Sequence, residues 1–387
     1  MSIAPRAIDW RFTMLAGALL LYGAAGSPTP DYPSIVEAVI AALLILSLSP
    51  ATLSGIMRGR LPHGRVFFLP LLLFGLSVPL ALSFVNGAQA AQTLRDLAAF
   101  LFLCLPVFLY PAERAGAFLH LCMALALLFA LRVLGQAYGV LPPAAELHYL
   151  ANSPLVLMSA IIGFGAAFQH AYARRLSWRS AAYALVSCAC LAAMAVDMQR
   201  ACIGAVISSL ALFAVVGFIR APERMVLPLA AAALAVWLGW EAMAAAWHGI
   251  AAKTALVGVN MRLEELAAVR ERLDGPWWTL WFGAGWGARF DSPAVGGVTV
   301  GFTHSLLTSM LLKSGLTGMA LTLAALAACA AALVRALPQA FIICVALAWA
   351  IAIPVFLYGS YKSLDFGLVL ILALMAPHAI RRMDPSS

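Results

Sequence analysis

Charge is scarce in this chain. Lys, Arg, Asp and Glu make up 10% of its 387 residues, against about a quarter in a soluble domain. Hydrophobic residues make up 64% and mean hydropathy is +0.96. An ordinary water-soluble globule is therefore excluded. Metal-ligand spacing is also missing: there is no H-E-x-x-H and no Cys/His cluster, so neither a protein-bound metal nor another cofactor is expected. Seven cysteines are present, Cys104, Cys122, Cys188, Cys190, Cys202, Cys329 and Cys344. All lie in apolar segments, where a thiol behaves as a small hydrophobe. No pair flanks a loop, which argues against a disulfide framework or a zinc site. The glycine run GAGWG (283–287) lacks the G-x-G-x-x-G spacing and has no strand before it, so it does not mark a dinucleotide fold.

What the chain has in abundance is apolar runs. A spanning helix needs about twenty mostly apolar residues. That rule marks 10–27, 33–52, 66–85, 96–111, 115–136, 153–170, 181–197, 201–219, 225–247, 305–334, 340–358 and 365–380. The expected fold class is thus all-α: one integral membrane domain over 1–387 with about twelve transmembrane helices. The run 305–334 is too long for one straight span, and Gly315 and Gly318 are placed to divide it. Arg6 and Arg11 before an apolar stretch ending in LYGAAGS superficially suggest a signal peptide. Because further spans follow, an uncleaved first helix is expected.

The net charge of +8 follows topology. With the N-terminus inside, the inner connections hold Arg58, Arg60, Arg65, Arg114, Arg174, Arg175, Arg179, Arg220, Arg224 and Arg335, and the tail adds Arg381 and Arg382. Short outer connections hold little beyond Arg95, Arg200 and Lys362. The basic balance therefore marks a lipid bilayer, not nucleic acid, as the partner. One connection departs from the pattern: residues 248–303 form a long outer loop with Lys253, Arg262, Arg270, Arg272, Arg289, Glu264, Glu265, Glu271, Asp274 and Asp291. Loops of that length are exempt from the positive-inside rule.

Within the loop, 260–275 reads as a helix on which Leu266, Val269 and Leu273 share a face, stopped by Asp274-Gly275-Pro276. Arg270 and Arg272 fit the polar face of a surface helix. Arg262 stands at the helix start, where the dipole disfavours a cation; it either pairs with Glu265 or holds an anion. Trp277, Trp278 and Trp281 are an interfacial belt or platforms for sugar rings. Arg200 sits close to hydrocarbon, paired with Asp197 or used for a ligand. His304 opens the run HSLLTSMLLKSG as an interfacial residue beside a Thr303 helix start, or as a near-neutral base. His148 and His248 are its outer rivals, whereas His63, His120, His170 and His378 fall towards the inner side.

In chain order, QRACIGAV, M-R-L-E-E-L, the G-x-G-x-G turn, T-H-S and K-S-G-L-T-G resemble the O-antigen ligase and polymerase superfamily of bacterial envelope glycosyltransferases. The likeness is concentrated in 197–320. The family's arginine–glycine pair is Arg200-Ala201 here, and its histidine–asparagine pair is His304-Ser305, so the group that orients the histidine is open. The resemblance implies an enzyme of the bacterial inner membrane, active on the periplasmic face, where 248–303 would be the large periplasmic loop. Its donor would be a glycan on undecaprenyl diphosphate. Its acceptor would be lipid A–core for a ligase, the reading preferred, or a second lipid-linked glycan for an O-antigen or exopolysaccharide polymerase. By the same resemblance His304 is the general base of a metal-independent, inverting transfer, and Arg200 and Arg262 clamp the diphosphate. Arg289 is a further diphosphate candidate by position. Arg95 and Lys362 either join that electropositive site or anchor at the interface. A secondary transporter would call for two related halves and midplane polar groups; the sequence shows no convincing repeat, and its charge gathers in one loop. A purely structural membrane partner leaves Arg200, Arg262 and His304 unexplained.

Overall fold

The computed structural model describes residues 9–27, 35–48, 64–109, 114–142, 147–173, 177–230 and 261–379, with isolated positions from 54 to 61 and from 233 to 248. His63, Lys253 and most of the marked span 225–247 lie outside the described residues. Every other marked segment coincides with a helix. In order these are α1 (Trp10–Ala25), α2 (Ile35–Ser47), α3 (Phe68–Val85), α4 (Ala90–Cys104) and α5 (Ala115–Ala137). There follow a short α6 (Leu147–Ala151), α7 (Pro154–Tyr172), α8 (Trp178–Val196) and α9 (Arg200–Arg220). The loop contributes α10 (Arg262–Arg272) and α11 (Trp277–Phe282), and the chain ends with α12 (Leu306–Ala336), α13 (Phe341–Phe356) and α14 (Leu364–Ala379). Strands β1 (Phe290–Ser292) and β2 (Val298–Val300) pair antiparallel, with Asp291 opposite Thr299; no other sheet occurs among the described residues. Among the described residues, seven helices are long and apolar enough to cross a membrane, and α2, α13 and α14 are shorter apolar helices.

The core lies along α14, whose residues Phe366 to Ala376 are buried. Apolar on every side, it is enclosed by α4, α5, α7, α12 and α13. A helix apolar all round belongs at the centre of such a bundle. A second, smaller core joins α10 to the hairpin and to α12 through Val269, Leu273, Phe290, Leu311 and Leu312.

Two helix breaks hold the loop to the bundle. Pro79 inside α3 has no N–H, so the carbonyl of Gly75 loses its helical partner. The buried indole Nε1–H of Trp286 donates to that carbonyl at 2.8 Å. Gly315 leaves the helical region of α12 (φ 65°, ψ −166°), as its place in the long run led us to expect. The carbonyls of Leu312 and Lys313 then accept from Ala284 N (2.9 Å) and Gly285 N (3.1 Å). The glycines of GAGWG have φ of 81°, 87° and 83°. A Cβ on Gly283 would stand 2.4 Å from the Lys313 backbone, and one on Gly285 2.6 Å from Ser83 N. The run is therefore a connector in which only glycine fits at 283 and 285, and it supplies the N–H groups both breaks require.

Candidate functional site

One end of the bundle gathers the candidates. The starts of α4, α7, α9, α12 and α14 meet there, tied by contacts such as Asn86 Nδ2 to the Ala284 carbonyl (3.0 Å) and Tyr361 Oη to the Thr303 carbonyl (3.2 Å). Ser153, the cap of α7, donates to the Asp365 carboxylate at the start of α14.

Glu265 is the residue on which the site turns. It heads a row on α10 with Val269 and Leu273, spaced by four, and all three are buried. Leu266, expected on that face, is exposed. The Glu265 carboxylate accepts three bonds. The ring Nδ1 of His304 lies 2.9 Å away, the His304 backbone N–H 3.0 Å, and Ser292 Oγ 3.3 Å. Burial alone would raise the pKa of this carboxyl. The two His304 hydrogen bonds, the His304 charge and Arg262 outweigh it and hold the group below its ordinary value. An ionised carboxylate only accepts, so Nδ1 carries a proton towards it, and in the neutral form of the ring the lone pair is then on Nε2. The His304 side chain is 25% exposed, and no described residue hydrogen-bonds Nε2.

The helix start beside it is not Thr303, as the sequence led us to expect. Ser305 caps α12, its Oγ accepting from Thr308 N at 3.1 Å. Thr303 instead donates to the Ser305 carbonyl (2.8 Å). Ser305 is thus fully engaged in the cap, and the part of orienting the imidazole falls to Glu265.

Arg262, half-buried, sits one turn before Glu265 on α10, and its Nε is buried without a hydrogen-bond partner among the described residues. Burial draws its pKa down, with Glu265 and Tyr358 partly restoring it. Arg200 opens α9 directly after a sharp turn in which Met198 takes a positive φ of 53°. The charges of both arginines act on one phenol, that of Tyr358, a residue that carries no signal of its own in the sequence.

Arg289 lies apart, exposed on the hairpin, its guanidinium donating to the Thr299 carbonyl at 2.6 Å. Trp277, Trp278 and Trp281 are exposed on α11. His148 pairs through Nδ1 with Asp197 (2.7 Å), which also accepts from Gln199 Nε2 (2.5 Å). Lys313, the single charge of its long run, is buried against Asp96 (2.5 Å) and donates to the Ala288 carbonyl. Asp96 also accepts from Gly287 N (2.6 Å). Lys362 stands 4.3 Å above the Phe302 ring, whose own centroid is 5.8 Å from that of His304.

Set against known proteins, the chain matches no family model, no curated protein and no solved structure.

Proposed function

We propose that this chain is a glycosyltransferase of the bacterial inner membrane that moves a glycan from undecaprenyl diphosphate to an acceptor hydroxyl. The observation that carries the reading is the His304–Glu265 pair, with Nε2 open and the half-buried Arg262 one turn away. The resemblance of 197–320 to the O-antigen ligase and polymerase superfamily supplies the reaction class. On this reading the bundle has about twelve spans, and 248–303 is a periplasmic loop.

Nε2 of His304 takes the proton from the acceptor hydroxyl, whose oxygen forms the new bond to the anomeric carbon. The old bond to the diphosphate oxygen breaks and its electron pair leaves with the diphosphate. Attack from the opposite face inverts the anomeric centre. The imidazolium that forms is stabilised through Nδ1–H by the Glu265 carboxylate. Arg262 and Arg200, whose charges both act on Tyr358, receive the charge growing on the diphosphate. Because guanidiniums do this work, full activity is expected in excess chelator.

The test supplies purified protein with an undecaprenyl-diphosphate glycan and either lipid A–core or a second lipid-linked unit. We expect transfer to lipid A–core, the ligase reaction. Transfer to the lipid-linked unit alone makes the protein a polymerase, and transfer to neither discards the enzyme reading.

A further inference from the structure

A cleft of about 80 Å³ opens between α4, residues 301–302 and the turn 359–362. Gln92, Arg95, Asp96, Tyr149, Phe302 and Lys362 line it. That volume holds several water molecules, enough for a phosphate or carboxylate with its sugar at the mouth. Asp96, the carboxylate of this lining, is already committed to Lys313 and Gly287. Arg95 is exposed and makes no ion pair among the described residues. The ammonium of Lys362 is stacked on Phe302, and burial draws its pKa down to about 7 despite the opposing pull of Asp96. An arriving anion would therefore meet the Arg95 guanidinium and would itself favour the protonated form of Lys362, which burial leaves under-compensated.

The cleft is distinct from the Arg200–Arg262 group. Neither Arg200 nor Arg262 is among the residues that line it. The two cationic groups share the His304–Glu265 pair: Glu265 acts on Arg262 and Lys362 alike, and Phe302 of the cleft meets the imidazole edge-on at 73°. A transfer reaction has two substrates, and a base must touch the nucleophile while the leaving group departs on the other side. We propose that this cleft binds the acceptor as a saccharide bearing an anionic substituent: Arg95 and Lys362 take the charge, Tyr149 and Phe302 border the ring, and a sugar hydroxyl is presented to His304. The assignment to the acceptor rests on the transfer reading above.

Binding tests it without transfer. The full-length protein in detergent is titrated calorimetrically with glucose 6-phosphate, glucose and inorganic phosphate. Glucose 6-phosphate should bind tightest of the three. Arg95→Gln and Lys362→Met should each weaken it about tenfold or more, the loss expected for a hydrogen bond to a charged group, and Lys362→Arg should recover most of the affinity. Arg95 is exposed, so its variant keeps the fold even if Lys362→Met does not. Arg262→Gln should weaken inorganic diphosphate more than glucose 6-phosphate, and Arg95→Gln the reverse. The proposal is overturned if wild-type protein does not bind glucose 6-phosphate, if inorganic phosphate binds as tightly, or if both variants bind undiminished. Should this pattern hold while no glycan is transferred, the anionic-saccharide site stands and the glycosyltransferase reading falls.

Discussion

Two histidine–carboxylate pairs stand at the same end of the bundle, and they are nearly equal in length. His304 Nδ1 is 2.9 Å from Glu265, and His148 Nδ1 is 2.7 Å from Asp197. Their surroundings differ. The His304 side chain is 25% exposed on a carboxylate that is 1% exposed, whereas the His148 pair is 52% and 15% exposed. Glu265 is held by a helix packed on a small core and also grips the backbone N–H of His304. His148 sits on a five-residue helix, and its carboxylate lies in the short turn 197–199 with Gln199 as a further partner. Distance alone therefore does not distinguish a base from a surface ion pair. On the proposed transfer reading, what does is whether ring and backbone are fixed together, because a preorganised base loses nothing to reorientation at the moment of reaction.

The largest effect should come from removing the fixed ring. His304→Ala is expected to lower kcat for glycan transfer by about 10²- to 10⁴-fold, the usual worth of a positioned general base, and also to lower the melting temperature, because the buried Glu265 carboxylate loses its ring partner. A variant that retains full transfer would make the two pairs equivalent. Next comes the cation that shares α10. Arg262→Gln should cost about 10²- to 10³-fold in kcat if it stabilises the leaving diphosphate. Arg262→Lys should recover only part, because an ammonium lacks the planar fork. A uniform rise in KM at unchanged kcat would reduce Arg262 to ground-state binding.

Glu265→Gln sharpens the comparison in a different way. The amide can still meet the ring but cannot stabilise an imidazolium, so transfer should fall by roughly 10- to 100-fold, as for a lost hydrogen bond to a charged group. It should also change the acid response. In the folded protein Glu265 lies below its ordinary value of 4.5. The stability it contributes is therefore present above that value and lost as pH falls through the lower, folded one. Wild-type melting temperature should exceed that of Glu265→Gln near neutral pH, and the gap should close below about pH 4.5. A gap that stays constant with pH would place the carboxylate's contribution in packing.

How much of this could be read from the sequence depends on range. Apolar runs report helices directly, and the marked segments met helices wherever the residues are described. His304 and Arg200 stood out because polar groups beside apolar runs are rare, and Arg262 because a cation at a helix start opposes the dipole. Their partners did not. Glu265 is 39 residues from His304, and Tyr358 reaches Arg200 and Arg262 only through the folded bundle. One signal was available: Glu265, Val269 and Leu273 form a stricter i, i+4 row than the Leu266 face, and a carboxylate in an apolar row points to a buried partner. The role of GAGWG was hidden for a similar reason. Its glycines answer carbonyls freed by Pro79 and by Gly315, breaks in two other helices that have no local sequence link to the loop.

The smallest effect is expected at the looser pair, where the comparison is most exposed to refutation. His148→Gln removes an imidazole that is half in solvent and leaves Asp197 its bond from Gln199 at 2.5 Å. An exposed ion pair contributes about 0–1 kcal/mol, so stability should scarcely move, and transfer should stay within roughly fivefold of wild type by the same energy scale. Tyr149, the next residue, lines the cleft beside Lys362, so any effect of the substitution should reach the reaction through the acceptor. It should then appear as a higher KM for an anionic acceptor at unchanged kcat. A drop in kcat matching that of His304→Ala would mean that both pairs move protons and that fixation by burial is not what sets the catalytic one apart.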